Sequence, residues 1–68
     1  MIETIKQLEE FVAKNDVHIC MPGTYEWQEE GCYTAYRNFE NPAGCIMAED
    51  KNPVTALFKF VKENYPDE

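Results

Sequence analysis

The sequence predicts one α+β domain over residues 1–68: a three-stranded antiparallel β-meander with two helices on one face, in the order α-β-β-β-α. Apolar residues recur at three- and four-residue spacing near both ends of the chain, which is typical of amphipathic helices. In the middle of the chain apolar and polar residues alternate instead, and turn-forming sequences divide that region into strands. A chain of 68 residues has room for one thin core, since it buries only about 60% of the surface that its unfolded form exposes.

The first helix is predicted near the N-terminus. Thr4 and Gln7 match a capping box, in which each side chain accepts a hydrogen bond from the backbone of the other. A helix that begins at Ile2 fits the pattern equally well. Asn15-Asp16 is predicted to end the helix, because Asn tolerates the left-handed conformation that is common just past a helix end. The apolar stripe consists of Ile2, Ile5, Leu8, Phe11 and Val12.

Alternation begins at Val17 and predicts a first strand over 17–21, which Pro22-Gly23 breaks or bends. It resumes over 24–28. Glu29-Glu30-Gly31 then predicts a short turn, in which Gly31 supplies a positive φ.

Residues 32–39 predict the next strand, because they are rich in Tyr and Thr. Asn41-Pro42-Ala43-Gly44 predicts a second turn, and 45–48 a short third strand.

A hairpin closed at 29–31 would pair Trp27 with Tyr33 and Tyr25 with Ala35. The sheet face assigned to the core then holds Tyr25, Trp27, Tyr33 and Ala35. The face assigned to solvent or a partner holds Thr24, Glu26, Gln28, Thr34 and Tyr36. A slip of one residue would exchange the two faces and bury Glu26 and Gln28.

The second helix has the clearest boundaries. Asn52 is a good N-cap, and Pro53 suits the first helical position, where its missing N–H costs nothing. Pro66 is predicted to end the helix. Its apolar residues are Val54, Leu57, Phe58, Val61 and Tyr65.

Thirteen acidic residues against six basic ones give a formal net charge of −7. The negative electrostatic potential of such a protein attracts basic partners and repels nucleic-acid phosphates and anionic lipids. Neither direct nucleic-acid binding nor membrane binding is therefore expected. No apolar run approaches the roughly 18 residues that span a bilayer, and the N-terminus lacks a signal-like pattern. A cytoplasmic protein is expected.

The predicted meander places the Glu29-Glu30 turn and Glu49-Asp50 at the same end of the sheet, opposed only by Lys51. Acidic residues commonly serve solubility alone. A converging array of them would also imitate a run of phosphates and occupy a nucleic-acid groove on another protein. The candidate partner-binding residues are Glu26, Glu29, Glu30, Tyr36, Glu49 and Asp50.

Three cysteines, an odd number, favour reduced thiols over a disulfide framework. His18, Cys20, Cys32 and Cys45 make four potential zinc ligands, but no C-x-x-C pair is present, so buried free thiols are favoured and no metal or other cofactor is expected. A Cys–His catalytic pair would also need a cleft, which a chain of this size has little volume to form. We therefore predict a protein that is not an enzyme.

From Glu29 onward the chain resembles the HicB family of antitoxins. The matching stretches are EEGCYTAY (29–36), NPAGC (41–45) and KNPVTAL (51–57), within a similarity that extends over residues 29–65. The resemblance implies a HicB-like sheet with a covering helix and a role in blocking a toxin. Two features depart from the family: a helix precedes the first strand, and the C-terminal DNA-binding extension of HicB-type proteins has no counterpart.

The element order is also that of a double-stranded-RNA-binding domain. That module contacts phosphates with a basic loop and a basic helix start, where this chain has Glu49-Asp50-Lys51-Asn52-Pro53, so RNA binding is not expected. The function predicted first is an acidic inhibitor of a basic nucleic-acid-binding protein, either a toxin ribonuclease or a defence nuclease such as a CRISPR effector opposed by a phage. Both place it in a bacterial host cell. The alternatives are a module that self-associates, as a homodimer, through its open sheet face or an edge strand, and a small metal-sensing protein.

Overall fold

The computed structural model describes residues 2–39 and 44–67. The elements are α1 (Ile5–Asn15), β1 (His18–Cys20), β2 (Tyr33–Phe39), β3 (Gly44–Asp50) and α2 (Pro53–Asn64). The three strands form one antiparallel sheet in the order β1-β2-β3. This confirms the predicted α+β class and the α-β-β-β-α order. Neither helix of the described ranges combines the length and apolarity that crossing a membrane requires.

Helix α1 begins with the predicted capping box. The Thr4 hydroxyl accepts the Gln7 backbone N–H at 3.2 Å, and the Gln7 side-chain oxygen accepts the backbone N–H of Thr4 at 3.0 Å and of Glu3 at 2.8 Å. The helix ends at Asn15, and the cap residue Asp16 adopts the left-handed conformation with φ 54° and donates its backbone N–H to the Val12 carbonyl. Local sequence therefore determines both ends of α1.

Helix α2 begins as its sequence predicts. Asn52 lies outside the helix, and its side-chain oxygen accepts the backbone N–H groups of Val54 at 2.9 Å and Thr55 at 3.1 Å. Pro53 follows at the first helical position. These contacts satisfy two of the N–H groups that a helix start leaves without an intrahelical acceptor.

The strand register assigns every described strand residue to a face. Ala35 of β2 lies opposite Ile19 of β1 and Ala48 of β3, so these three residues share the face that the helices cover. The face away from the helices carries His18, Cys20, Thr34, Tyr36, Met47 and Glu49. The predicted directions of the β2 residues were correct, with Ala35 toward the helices and Thr34 away from them, but Thr34 is buried and does not face solvent or a partner.

The core lies between the helices and the sheet. Both helices contribute to a single buried cluster with Ala35 and Ala48, so both cover the same sheet face. Small alanines on the sheet leave room for Phe60, which is fully buried. Val54 was predicted to lie on the apolar face of α2, but it is 38% exposed. The buried face of α2 is therefore rotated from the predicted one. The buried cluster is Leu8, Phe11, Val17, Ala35, Ala48, Ala56, Phe60 and Val61.

Arg37 connects the ends of both helices to the sheet. Its guanidinium donates to the Tyr65 hydroxyl at 2.7 Å and to the Asn15 side-chain oxygen at 3.4 Å. The Tyr65 ring packs against Phe11 at 5.0 Å and Phe60 at 5.9 Å between centroids. The partners of Arg37 are thus the last residue of α1 and the C-cap residue of α2.

The strand predicted over 24–28 is wrong. Residues 21–32 form turns instead, and we call them the β1–β2 loop. The predicted hairpin fails because β1 already occupies the place beside β2, with Cys20 opposite Thr34 and Ile19 opposite Ala35. Alternation in sequence cannot reveal that the neighbouring position in the sheet is filled.

The burial of several side chains in the predicted hairpin is therefore the reverse of the prediction. Tyr25 and Trp27, assigned to the core, are 49% and 54% exposed. Gln28 and Thr34, assigned to solvent or a partner, are buried. Strand β3 is longer than predicted and includes Gly44; the rest of the turn predicted at 41–44 lies outside the described residues.

Candidate partner-binding surface

Gln28 fastens the β1–β2 loop to the sheet face away from the helices. Its side-chain oxygen accepts the Tyr25 backbone N–H at 2.7 Å. Its amide nitrogen donates to the Met21 carbonyl at 3.0 Å, the Thr34 hydroxyl at 3.1 Å and, at the longer distance of 3.4 Å, the Cys32 carbonyl. An amide with its hydrogen-bonding groups satisfied is inexpensive to bury, so Gln28 serves as the polar core of this face.

Successive turns shape the rest of the loop. The Thr24 backbone N–H and hydroxyl both donate to the Met21 carbonyl, at 3.3 and 2.8 Å. The Cys32 N–H donates to the Glu29 carbonyl at 3.0 Å, which closes the turn that the sequence predicts there. Gly31 takes φ 75° within that turn, as predicted.

The predicted convergence of carboxylates at one end of the sheet is observed for Glu29 and Glu49. The Glu29 backbone N–H donates to the Glu49 carboxylate at 2.9 Å, which links the loop to β3 across twenty positions of sequence. Glu49 lies on the same sheet face as the loop, opposite Thr34. A half-buried carboxylate from β3 therefore supports the loop that carries the exposed ones.

The pKa of the Cys32 thiol is affected by the charged groups at this end of the sheet. Burial raises the pKa of its thiol, and the nearby carboxylates of Glu29, Glu49 and Asp50 raise it further, while Lys51 opposes them. Nearby negative charge disfavours the thiolate, so the direction of this shift follows from the same convergence. Cys32 is a buried free thiol, as the sequence predicts.

Asp50 serves the fold more than the surface. Its carboxylate accepts the Asn52 backbone N–H at 3.0 Å and lies 3.7 Å from the Lys59 ammonium, which also donates to the Glu49 carbonyl at 2.8 Å. Lys51 was predicted to be the only opposing cation, and Lys59 corrects that expectation. The sequence signal was available, because Lys59 is on the helix that follows β3 directly.

The candidate residues therefore separate by exposure. Glu26, Glu29 and Glu30 are exposed on the loop and Glu49 is half-buried beneath it, whereas Asp50 is half-buried on the sheet face that the helices cover. Tyr36 lies on the same sheet face as Glu49 but one row away, where its ring is 5.5 Å from that of His18 across the strands. The structure thus links Glu29 to Glu49, and it leaves Asp50 and Tyr36 apart from that contact.

Two aromatic rings accompany the exposed carboxylates. Tyr25 and Trp27 stack with ring centroids 5.3 Å apart and planes 11° from parallel, and both are about half exposed. Met21, at the start of the loop, is 62% exposed. Sequence reasoning missed this pair, although Pro22-Gly23 and the complete strand before it were signals that a loop begins there. We define the loop surface as Met21, Tyr25, Glu26, Trp27, Glu29 and Glu30.

The cysteines and His18 are not gathered into a metal site in the part of the chain that the structure describes. His18 and Cys20 share a sheet face, as expected from their spacing. His18 is exposed, and its ring nitrogen lies 3.2 Å from the Asp16 carboxylate. The Cys45 side chain lies outside the described residues.

Comparisons with protein-family models, curated proteins and solved structures find no significant match for this chain. The resemblance to HicB antitoxins stays a prediction from short motifs.

Proposed function

We propose that this protein is an acidic, non-enzymatic inhibitor that binds the basic surface of a nucleic-acid-acting protein through its loop surface. The observation that carries the proposal is the hydrogen bond from the Glu29 backbone to the Glu49 carboxylate. It places three exposed carboxylates on an ordered loop, at one end of a chain whose net charge is −7.

The inhibitor acts by occupancy. Carboxylates on the loop take the place of phosphates in a basic groove, and the body of the protein then blocks access to the groove. Long-range attraction between opposite charges speeds association, and salt screens that attraction. The partner is a toxin ribonuclease of the kind that HicB-type antitoxins restrain, or a defence nuclease opposed by a phage; both act in the cytoplasm of a bacterial cell.

The test compares two isosteric triple variants that remove equal charge. E26Q/E29Q/E30Q neutralises the loop surface, whereas E9Q/E10Q/E63Q neutralises three exposed carboxylates on the helices. Each variant and the unmodified protein is used for affinity capture from a bacterial lysate at low salt, and proteins eluted by high salt are identified and purified. Association rates are then measured by surface plasmon resonance.

We expect the captured partner to be a nucleic-acid-acting protein whose association slows by at least tenfold for the loop triple and by less than threefold for the helix triple, in line with electrostatic steering. Equal rates for the two triples, or binding that does not respond to ionic strength, would refute the proposal.

Self-association is the second candidate, and one observation favours it. Among the described strands β3 pairs with β2 alone, and Met47 of β3 is 38% exposed on the face away from the helices. An edge of this kind can pair with a second copy of itself. Sedimentation velocity over a concentration series separates the candidates, since a persistent monomer eliminates this one.

A further inference from the structure

We propose that the loop surface selects arginine over lysine side chains on its partner, with a guanidinium stacked on Trp27 and paired with the loop carboxylates. This inference rests on the proposed function and specifies the chemistry of the partner. The feature that prompts it is the exposed aromatic pair, which neither the core nor the sheet requires.

The two aromatic residues stack on each other next to a hydrogen-bonded part of the loop. Tyr25 and Trp27 stack on each other, and Gln28, which follows Trp27 directly, is buried and holds the Tyr25 backbone at 2.7 Å. About half of the surface of each of these two residues remains exposed. An indole face is the best aromatic acceptor of a cation, and a ring that is already held in position loses little conformational entropy on binding.

The surrounding charge determines which cation fits. Glu26 lies between the two aromatic residues in sequence, and Glu29 and Glu30 follow on the same exposed loop. Guanidinium is planar, weakly hydrated and able to pair with a carboxylate through two hydrogen bonds while it stacks on a ring. The lysine ammonium is compact and strongly hydrated, so it pairs with a carboxylate but gains less from the indole face.

The same charges exclude two other occupants. Nucleic-acid bases also stack on exposed aromatics, but their phosphates would be repelled by the three carboxylates. An apolar partner would cover the rings and Met21 only by removing water from those carboxylates without replacing it. An arginine-rich protein surface satisfies the rings and the charges together.

The experiment uses nona-arginine and nona-lysine, which carry equal charge and contain no aromatic residue. Trp27 is the only tryptophan of the chain, so its emission reports directly on the loop surface. We expect nona-arginine to bind about three- to tenfold more tightly than nona-lysine and to change the Trp27 emission more at saturation.

Variants then test whether the preference for arginine depends on Trp27. Trp27→Leu is expected to reduce it to less than twofold, measured by anisotropy of labelled peptides, and Trp27→Phe to leave an intermediate preference, since a phenyl ring attracts cations less than an indole. The matched control is Ile5→Ala, which removes an apolar side chain that is 58% exposed on α1 and should leave the preference unchanged. Circular dichroism confirms that each variant is folded.

Equal affinity for the two peptides, or a preference that persists in Trp27→Leu, would overturn the arginine selection. The charge triples separate that failure from failure of the proposed function. If E26Q/E29Q/E30Q weakens both peptides more than E9Q/E10Q/E63Q does, the binding surface stands even where arginine selection fails. If the two triples weaken binding alike, the loop surface itself is refuted.

Discussion

The two faces of the sheet are covered in different ways. On one face, two helices bury an apolar cluster around Ala35 and Ala48. On the other, a loop covers one end of the sheet through two polar contacts: the Gln28 amide donates to the Thr34 hydroxyl at 3.1 Å, and the Glu29 backbone N–H donates to the Glu49 carboxylate at 2.9 Å. Apolar packing is spread over many residues, whereas the polar contacts are concentrated in two, so we expect the faces to respond differently to substitution.

The largest expected effect is on the helix-covered face. Phe60→Ala removes a fully buried ring from between α2 and the sheet and is expected to lower the free energy of unfolding by about 3–5 kcal/mol. For a chain with so thin a core, that loss should leave it largely unfolded at room temperature. Circular dichroism without denaturant checks whether the variant is folded, and urea denaturation of the unmodified protein gives the free energy of unfolding that the substitution has to remove. Val54→Ala, which truncates a partly exposed side chain on the same helix, is the control and should change stability by no more than about 0.5 kcal/mol.

Substitutions on the loop-covered face should lower the free energy of unfolding by less, and the loss should depend on which hydrogen-bonding groups are left without a partner. Gln28→Leu leaves the Tyr25 N–H and the Thr34 hydroxyl without their partner and is expected to cost about 1–3 kcal/mol. Adding Thr34→Val removes one of those orphaned groups, so the double variant should be more stable than the sum of the single effects predicts. Urea denaturation gives all three values, and strict additivity would contradict a direct contribution of the Gln28–Thr34 contact.

The contrast between Gln7 and Gln28 shows how much of this fold could be predicted from the sequence. The Gln7 side chain accepts hydrogen bonds from Glu3 and Thr4, within four positions, so a short pattern was enough to predict its capping box. Gln28 reaches Met21 and Thr34, seven and six positions away, in a conformation that depends on the loop being folded over the sheet. The alternating pattern predicted that Gln28 is exposed to solvent or a partner, and this was wrong, because the period of a sequence does not show what lies beside a strand.

The candidate site divides in the same way. Strand polarity alone brought Glu29 and Glu49 to one end of the sheet, and that expectation was confirmed although the predicted hairpin was wrong. It succeeded because β2 and β3 are antiparallel neighbours wherever the preceding loop runs. The exposure of Tyr25 and Trp27 was missed, because it depends on β1 having taken the place beside β2, and Pro22-Gly23 signals only that a loop begins.

The smallest expected effect is at Cys32, where the loop meets the sheet. Because burial, Glu29 and Glu49 raise the pKa of this thiol above its ordinary value of 9.0, the folded state retains the proton more strongly than the unfolded state. The stabilisation is therefore complete below that ordinary value and is lost as pH rises through the raised pKa.

In a chain whose other two cysteines are replaced by serine, E29Q/E49Q should lower the pKa and speed alkylation of Cys32 by iodoacetamide at pH 8 by about two- to threefold. The glutamine at position 49 retains an acceptor for the Glu29 backbone N–H, so a faster reaction reflects lost charge and not a displaced loop. E9Q/E10Q should leave the rate unchanged, and an equal acceleration by both pairs would mean that Cys32 senses only the net charge of the protein.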